Sequence, residues 1–158
     1  MNPESLFDRW FAAPIAKLHE LPSGDGAFAA LIVALPLYER AIIGTIKLRG
    51  HDSNEDAIKA EVEADLHIDL PVRARFWSVF RNGFMHQAMG LDGHTKWLVS
   101  AEFTAIPTLI SRSGNDYLCL DPWKFAERTI TKFKERPELI TASESFPFAT
   151  ILEHNQVA

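Results

Sequence analysis

At 158 residues the chain is long enough to bury a real core and of a length that suits a single domain. Its apolar fraction of 47% and charged fraction of 23% are those of a folded soluble protein. A net charge of −5 with a pI near 5.6 excludes a passive nucleic-acid coat built on a global basic field. An acidic chain can still grip one or two phosphates locally. One cysteine, Cys119, excludes an internal disulfide framework and fits a reducing compartment. The start, Met1-Asn2-Pro3-Glu4-Ser5, lacks the basic and apolar regions of a signal peptide. The longest uncharged apolar run, Ala27 to Tyr38, is too short to span a bilayer and contains Pro36. A cytoplasmic, soluble protein is the expectation.

Leu6, Phe7, Trp10, Phe11, Ile15 and Leu18 recur at helical spacing and predict a first helix over residues 4–20, with Pro14 able to kink it. A loop at Leu21 to Gly26 follows. Residues Ala27 to Lys47 are apolar nearly all round and read as a central buried helix, interrupted only by Glu39 and Arg40. Those two charges either mark where the helix surfaces or bring Glu39 to a partner such as Arg81. Ser53 can cap the next helix, with Asp56 in its first turn. Ile58, Val62 and Leu66 form its buried stripe, while Glu55, Glu61, Glu63 and Asp65 are expected to face water.

Asp69-Leu70-Pro71 breaks that helix and opens another, which runs to about Gln87. Beyond Gly90 the composition turns strand-like at Trp97–Phe103, Thr108–Ser111 and Tyr117–Leu120, with a turn signal at Ser113 to Asp116. A small antiparallel hairpin is expected there. Asp121-Pro122 then gives an N-cap followed by Pro at the first helical position, opening a last helix to about Glu135. The whole reads as a mainly α single domain over residues 1–136: about five helices, with the hairpin inserted before the last. Residues 137–158 form a tail that docks on the body or on a partner.

The helix from Pro71 carries the candidate chemistry. At about 100° per residue, Phe76, Trp77, Val79, Phe80, Gly83 and Phe84 share a broad apolar face. Ser78, Arg81, Asn82 and His86 fall together on the other side, with Met85 and Met89 among them. A solvated helix face is ordinarily Glu, Lys and Gln; Arg, Asn and His read as a site or an interface. Asn82 and His86 are neighbours at i,i+4, so the amide can fix the imidazole tautomer a general base requires. Arg81 and His86 are about 140° apart on an ideal helix, which favours two copies meeting around a two-fold axis. Gly83 permits a bend that would close this angle.

Arg81-Asn82-Gly83-Phe84-Met85-His86 resembles the R-N-x-x-x-H form of the R-x(4–6)-H motif of HEPN domains (higher eukaryotes and prokaryotes nucleotide-binding). The loose motif is uninformative, since about one match is expected by chance in this composition, whereas Asn after Arg at this spacing lowers the expectation to roughly 0.01. HEPN domains are helical bundles, and the resemblance would cover most of residues 5–136. It implies a metal-independent endoribonuclease that acts as a homodimer through the motif helix and needs no cofactor. His86 would be general base toward a ribose 2′-OH, or acid for the leaving 5′-oxygen. Arg81 would stabilise the phosphorane and Asn82 would position His86 or the phosphate. Glu39, Arg40, Arg75 and Ser78 are candidates for supporting or substrate-binding roles, and Arg73 and Arg75 for a local basic patch.

Many HEPN members are toxins or defence effectors, which implies host or phage RNA as substrate and an antitoxin or other regulatory protein as partner. Ala88 stands where some toxin members carry a modifiable tyrosine. The alternative is a catalytically inactive HEPN-type module that binds a nucleotide or a protein, or a purely structural dimer. No paired ligand spacing supports a metal site from His86, His94 and Cys119. Cys119 reads as a buried small hydrophobe, and Trp77, Trp97 and Trp123 as core residues.

Overall fold

The computed structural model describes residues 2–84 and 95–142, apart from the side chains of Phe80, Arg81, Asn82, Phe84 and Thr95. At its centre lies α3 (Ala27–Leu48), which packs against the helices on either side of it in the chain and against the two C-terminal helices described below. Its two apolar sides explain this: Ala30, Leu31, Ala34, Leu35, Leu37, Tyr38, Ala41, Ile42 and Ile46 are all buried. Pro36 sits inside the helix without ending it. Alpha-3 is also long and apolar enough to cross a membrane by length and composition, being longer than its uncharged run. Half of its apolar window is buried inside the protein, and Glu39 and Arg40 lie at its middle.

The first predicted helix is present but wound in three parts. Helix α1 (Pro3–Phe7) runs into a π turn (Asp8–Ala12) and on into α2 (Ala13–His19), with helical backbone at both junctions. The Ala13 N–H bonds the Asp8 carbonyl five residues back. The wide turn ends immediately before Pro14, which has no N–H to give. Asn2 caps α1 by accepting from the Ser5 N–H at 2.7 Å. A 3₁₀ turn (Pro22–Gly24) leads to Gly26, where a Cβ would meet the Leu18 carbonyl oxygen at 2.2 Å. Only glycine lets the loop pass this close to α2.

Helix α4 (Glu55–Leu66) is capped by Asn54, whose side chain accepts from the Ala57 N–H at 2.9 Å, in place of the expected Ser53. Helix α5 (Leu70–Phe76) starts as expected, with Asp69 accepting from the Val72 N–H at 3.0 Å and Pro71 in its first turn. From Trp77 the same rod changes to a π-wound segment (Trp77–Phe84), which the regular helix expected there did not include.

The expected hairpin exists inside a larger sheet. Strands β2 (Thr108–Arg112) and β3 (Asn115–Leu120) pair antiparallel around Ser113-Gly114, whose φ values of 52° and 76° are both positive, as a two-residue primed turn requires. Strand β1 (Thr95–Val99) lies on the other side of β3 and pairs with it in parallel, giving the order β1-β3-β2. The insertion is therefore a three-stranded mixed sheet. Residues expected to extend β1 to Phe103 turn away after Val99, and Asp121 N–H closes back on the Thr104 carbonyl at 2.9 Å.

Helix α6 (Pro122–Glu135) opens as expected, with Asp121 accepting from the Trp123 and Lys124 N–H groups at 2.8 and 3.1 Å. It lays Phe125, Ala126, Thr129, Ile130 and Phe133 along α3. The packed body continues past residue 136. A short helix, α7 (Glu138–Thr141), buries Leu139 and Ile140 against α1, α3 and α6. The fold is thus mainly helical with a small mixed sheet.

Tyr38, Phe76 and Phe125 meet where α3, the end of α5 and α6 converge, with ring centroids 5.2 to 6.4 Å apart. Phe125 is fully buried, so Phe125→Ala should cost about 3–5 kcal/mol of unfolding free energy. A urea titration followed by tryptophan fluorescence measures it, and a loss well below that range would show that the cluster collapses to fill the space.

Candidate functional site

The sequence placed its candidate chemistry on one rod, and the described part of that rod has two different walls. Phe76, Trp77 and Val79 are buried, and so is Gly83. This side packs on α3, so the apolar half of the expected amphipathic helix is present. Ser78 and Arg75 are half-buried. Arg81 and Asn82 lie on the π-wound segment by their backbones. His86, together with Met85 and Met89, lies outside the described residues.

The winding matters for the pair geometry. A π turn closes hydrogen bonds from i to i+5, so each residue turns the chain less than in an α-helix. Side chains five apart are then nearer to one face than the roughly 140° of an ideal α-helix would put them. The Arg81–His86 spacing is five residues. Gly83, expected to relieve the angle by a bend, lies within the π-wound Trp77–Phe84, and the stretch from Met85 to His86 falls outside the described residues.

Around this rod the candidate supporting residues divide. On α3, Glu39 is half-buried and Arg40 exposed, so the helix surfaces at Arg40, and α3 packs against the π segment. Whether Glu39 meets Arg81 falls on a side chain outside those described. Arg73, expected in a basic patch, is drawn the other way: its Nε is 3.2 Å from a carboxylate oxygen of Glu63 on α4. That ion pair ties the start of α5 to α4 and takes Arg73 out of the patch.

Missed by the sequence reading is the polar network directly beneath. Asp65, expected to face water, has a side chain only 13% exposed. Its carboxylate accepts from the Tyr38 hydroxyl at 2.8 Å and pairs with Lys132 of α6. Arg128 Nη2 stands 3.6 Å from the same carboxylate and donates to the Asp65 backbone carbonyl at 2.8 Å. Arg128 Nε is buried with no partner among the described residues. Glu61, also expected in water, is held by Arg49 at 2.7 Å. A signal existed: Tyr38 is a phenol on a largely apolar helix, and a buried phenol needs an acceptor. The network reaches the rod through Tyr38, whose ring meets Phe76 edge-on at 6.4 Å, one residue before the π winding begins.

Other candidates take the places expected of them. Cys119 is 1% exposed on β3, and burial pushes its thiol up, away from thiolate reactivity. Trp77 is buried, Trp97 packs on the core, and Trp123 is half-buried with His19 stacked on it at 4.3 Å. A groove of about 620 Å³ runs between α2 and α6 past His19, Trp123 and Ile130, and no wall of it belongs to α5 or the π segment. Among the described residues no three His, Cys, Asp or Glu side chains gather as a metal ion would require. No protein-family model matches the chain, and no curated protein or solved structure matches it either.

Burial first, and then the charge of Asp65, raise the Tyr38 hydroxyl well above the usual phenol range. The folded chain therefore keeps this proton where the unfolded chain loses it, above about pH 10. Stability contributed by Tyr38 is complete below that pH and falls as pH rises, by at most about 1.4 kcal/mol per unit. Urea midpoints measured between about pH 9 and pH 11 should show this fall, and Tyr38→Phe should flatten it. An equal slope in both proteins would mean that the phenol ionises in the fold.

Proposed function

We propose that the chain is a metal-independent endoribonuclease of the HEPN type, acting as a homodimer through its motif helix. The observation that supports this best is the π winding of Trp77–Phe84, on which Arg81 and Asn82 lie with the opposite wall buried on α3. A rod wound this way favours a shared face for residues five apart, as Arg81 and His86 are. Pi-wound turns cost hydrogen-bond geometry and recur at functional sites.

The chemistry follows from the residue types. The His86 imidazole takes the proton of a ribose 2′-OH as the oxygen attacks the adjacent phosphorus, or protonates the departing 5′-oxygen. Arg81 offers a planar fork of N–H donors to the non-bridging oxygens as charge builds on the phosphorane. Asn82, with its amide one turn from His86, holds the imidazole or a phosphate oxygen. Such a mechanism needs a 2′-OH, so RNA is cut and DNA is not, and the first product ends in a 2′,3′-cyclic phosphate. Arg75 and Ser78 precede the motif on the same rod, Glu39 and Arg40 lie on α3, which packs against that rod, and these four are the supporting positions in this reading. Two motifs across a two-fold axis would supply acid and base from different protomers. The setting in this reading is a cytoplasmic toxin or defence effector directed at host or phage RNA, held in check by an antitoxin or another regulatory protein.

Fluorescent RNA incubated with the protein in EDTA tests the assignment. His86→Ala and Arg81→Ala should each lower the rate by about 100-fold or more, the usual weight of a general base or an oxyanion donor. A DNA strand of the same sequence should remain intact. Undiminished cleavage by both variants overturns the assignment. An inert wild-type chain that still binds nucleotides would leave the catalytically silent HEPN-type module in its place.

A further inference from the structure

The sheet turns one face to the core, while the other carries the exposed Leu98 and Ile110 and a groove shared with Phe103 and the buried Cys119. Trp97, Val99, Leu109, Leu118 and Leu120 point inward and join the core. Outward, cross-strand register puts Lys96, Tyr117 and Ile110 in one row and Leu98, Cys119 and Thr108 in the next, with Arg112 beside Asn115 at the hairpin end. Leu98 and Ile110, on the two edge strands, are 41% and 44% exposed, two of the exposed large aliphatic side chains of the chain. Between them runs a groove of about 460 Å³ whose walls include Phe103, Tyr117 and Arg112.

Charge decides what fits this face. Its outward strand positions carry two cations, Lys96 and Arg112, and no carboxylate, although the chain as a whole is −5. The one acid of β3, Asp116, belongs to the opposite face, where Ser111 donates to it at 2.5 Å. A second copy seated face to face would bring like charges together and cover only two well-exposed aliphatics, a poor basis for self-association. A polyanion with planar apolar faces meets every feature at once. Flat sheets with an aromatic ring, aliphatic walls and flanking cations receive unstacked bases, while the cations track the backbone.

We infer that this outer sheet face is a docking platform for single-stranded RNA, with a base stacked on Tyr117 between Leu98 and Ile110 and phosphates on Lys96 and Arg112. The Lys96 ammonium lies 5.7 Å from the Tyr117 ring centroid. That exposed cation–π contact is weak, and an incoming base can take the ring while the ammonium turns to the phosphate. The platform rests on the ribonuclease reading for its choice of RNA, and it would be a substrate-holding surface separate from Arg81 and His86.

The experiment uses the full chain carrying His86→Ala, so that RNA is bound without being cut, and a fluorescein-labelled oligoadenylate of about 10 nucleotides. Anisotropy titrations should show that Tyr117→Ala weakens binding about tenfold or more, while Tyr117→Phe preserves it. Lys96→Glu with Arg112→Glu should weaken binding further and reduce the slope of log affinity against log salt by about 1.4, the share of two phosphates on a single strand. These positions are on the surface, and circular dichroism verifies that the variants fold. Affinity unchanged by all three substitutions, or no affinity in the parent, overturns the platform. So does a change confined to sedimentation behaviour, which would assign the face to a second copy. The two readings fail separately: binding that depends on Tyr117 in a chain that never cleaves RNA sinks the nuclease alone, and cleavage with no dependence on Tyr117 sinks the platform alone.

Discussion

A carboxylate withdrawn from water must be given charge and hydrogen bonds in return, and Asp65 takes them from two other helices. Tyr38 comes from α3, and Lys132 and Arg128 come from α6. Each of these groups would be costly to leave alone at its depth, so the three helices can approach one another only in the register that satisfies them all. The apolar seam would tolerate some sliding, because Leu, Ile and Ala surfaces are interchangeable to a first approximation. The polar network removes that freedom. Arg136, just beyond the end of α6, extends the same logic, its Nη1 donating to the Thr45 hydroxyl at 2.9 Å, so α6 is pinned at Arg128 and Lys132 and again at its C-terminal end.

The motif rod inherits its position from this seam. Phe76 and Trp77 are anchored against the aromatic cluster and the core, and the winding changes directly afterwards. An α-helix leaving that anchor would carry its next residues around at about 100° apiece. Wider winding delays the rotation, so the buried wall and the polar wall stay apart for longer along the rod. A site built on such a segment depends on core packing as much as on its own side chains. Its geometry is held from Phe76 backwards, through Tyr38, to the charge on Asp65.

Features carried by local chemistry are legible in the sequence. Asp69-Leu70-Pro71 and Asp121-Pro122 start helices where they were expected, since an N-cap acceptor and a proline in the first turn act over three residues. Ser113-Gly114 turns the hairpin because the chain must cross two positive φ values there. Features decided at a distance are not legible. The parallel partner of β1 depends on a crossover of intervening chain, which strand composition does not encode. Ser53 and Asn54 are both good caps by residue type, and the folded chain uses Asn54. Asp65 sits on the polar stripe of an acidic helix and reads as solvated; only the arrival of α6 buries it. The candidate site divides in the same way. Residue types and their spacing are plain in Arg81 and Asn82, whereas the π winding on which they lie is not written in either.

The first π turn has a bearing on how this chain can change. Asp8–Ala12 holds one residue more than an α turn of the same rise would need, and the helix resumes without a break on the far side. Removing a single residue there would return the segment to regular winding and leave the two ends of the rod nearly in place. Elsewhere in a helix the same deletion rotates everything beyond it by about 100° and turns the buried face outward. The N-terminal rod therefore contains a point at which length can drift over generations without loss of the fold, a tolerance for gaps where the surrounding core tolerates few substitutions.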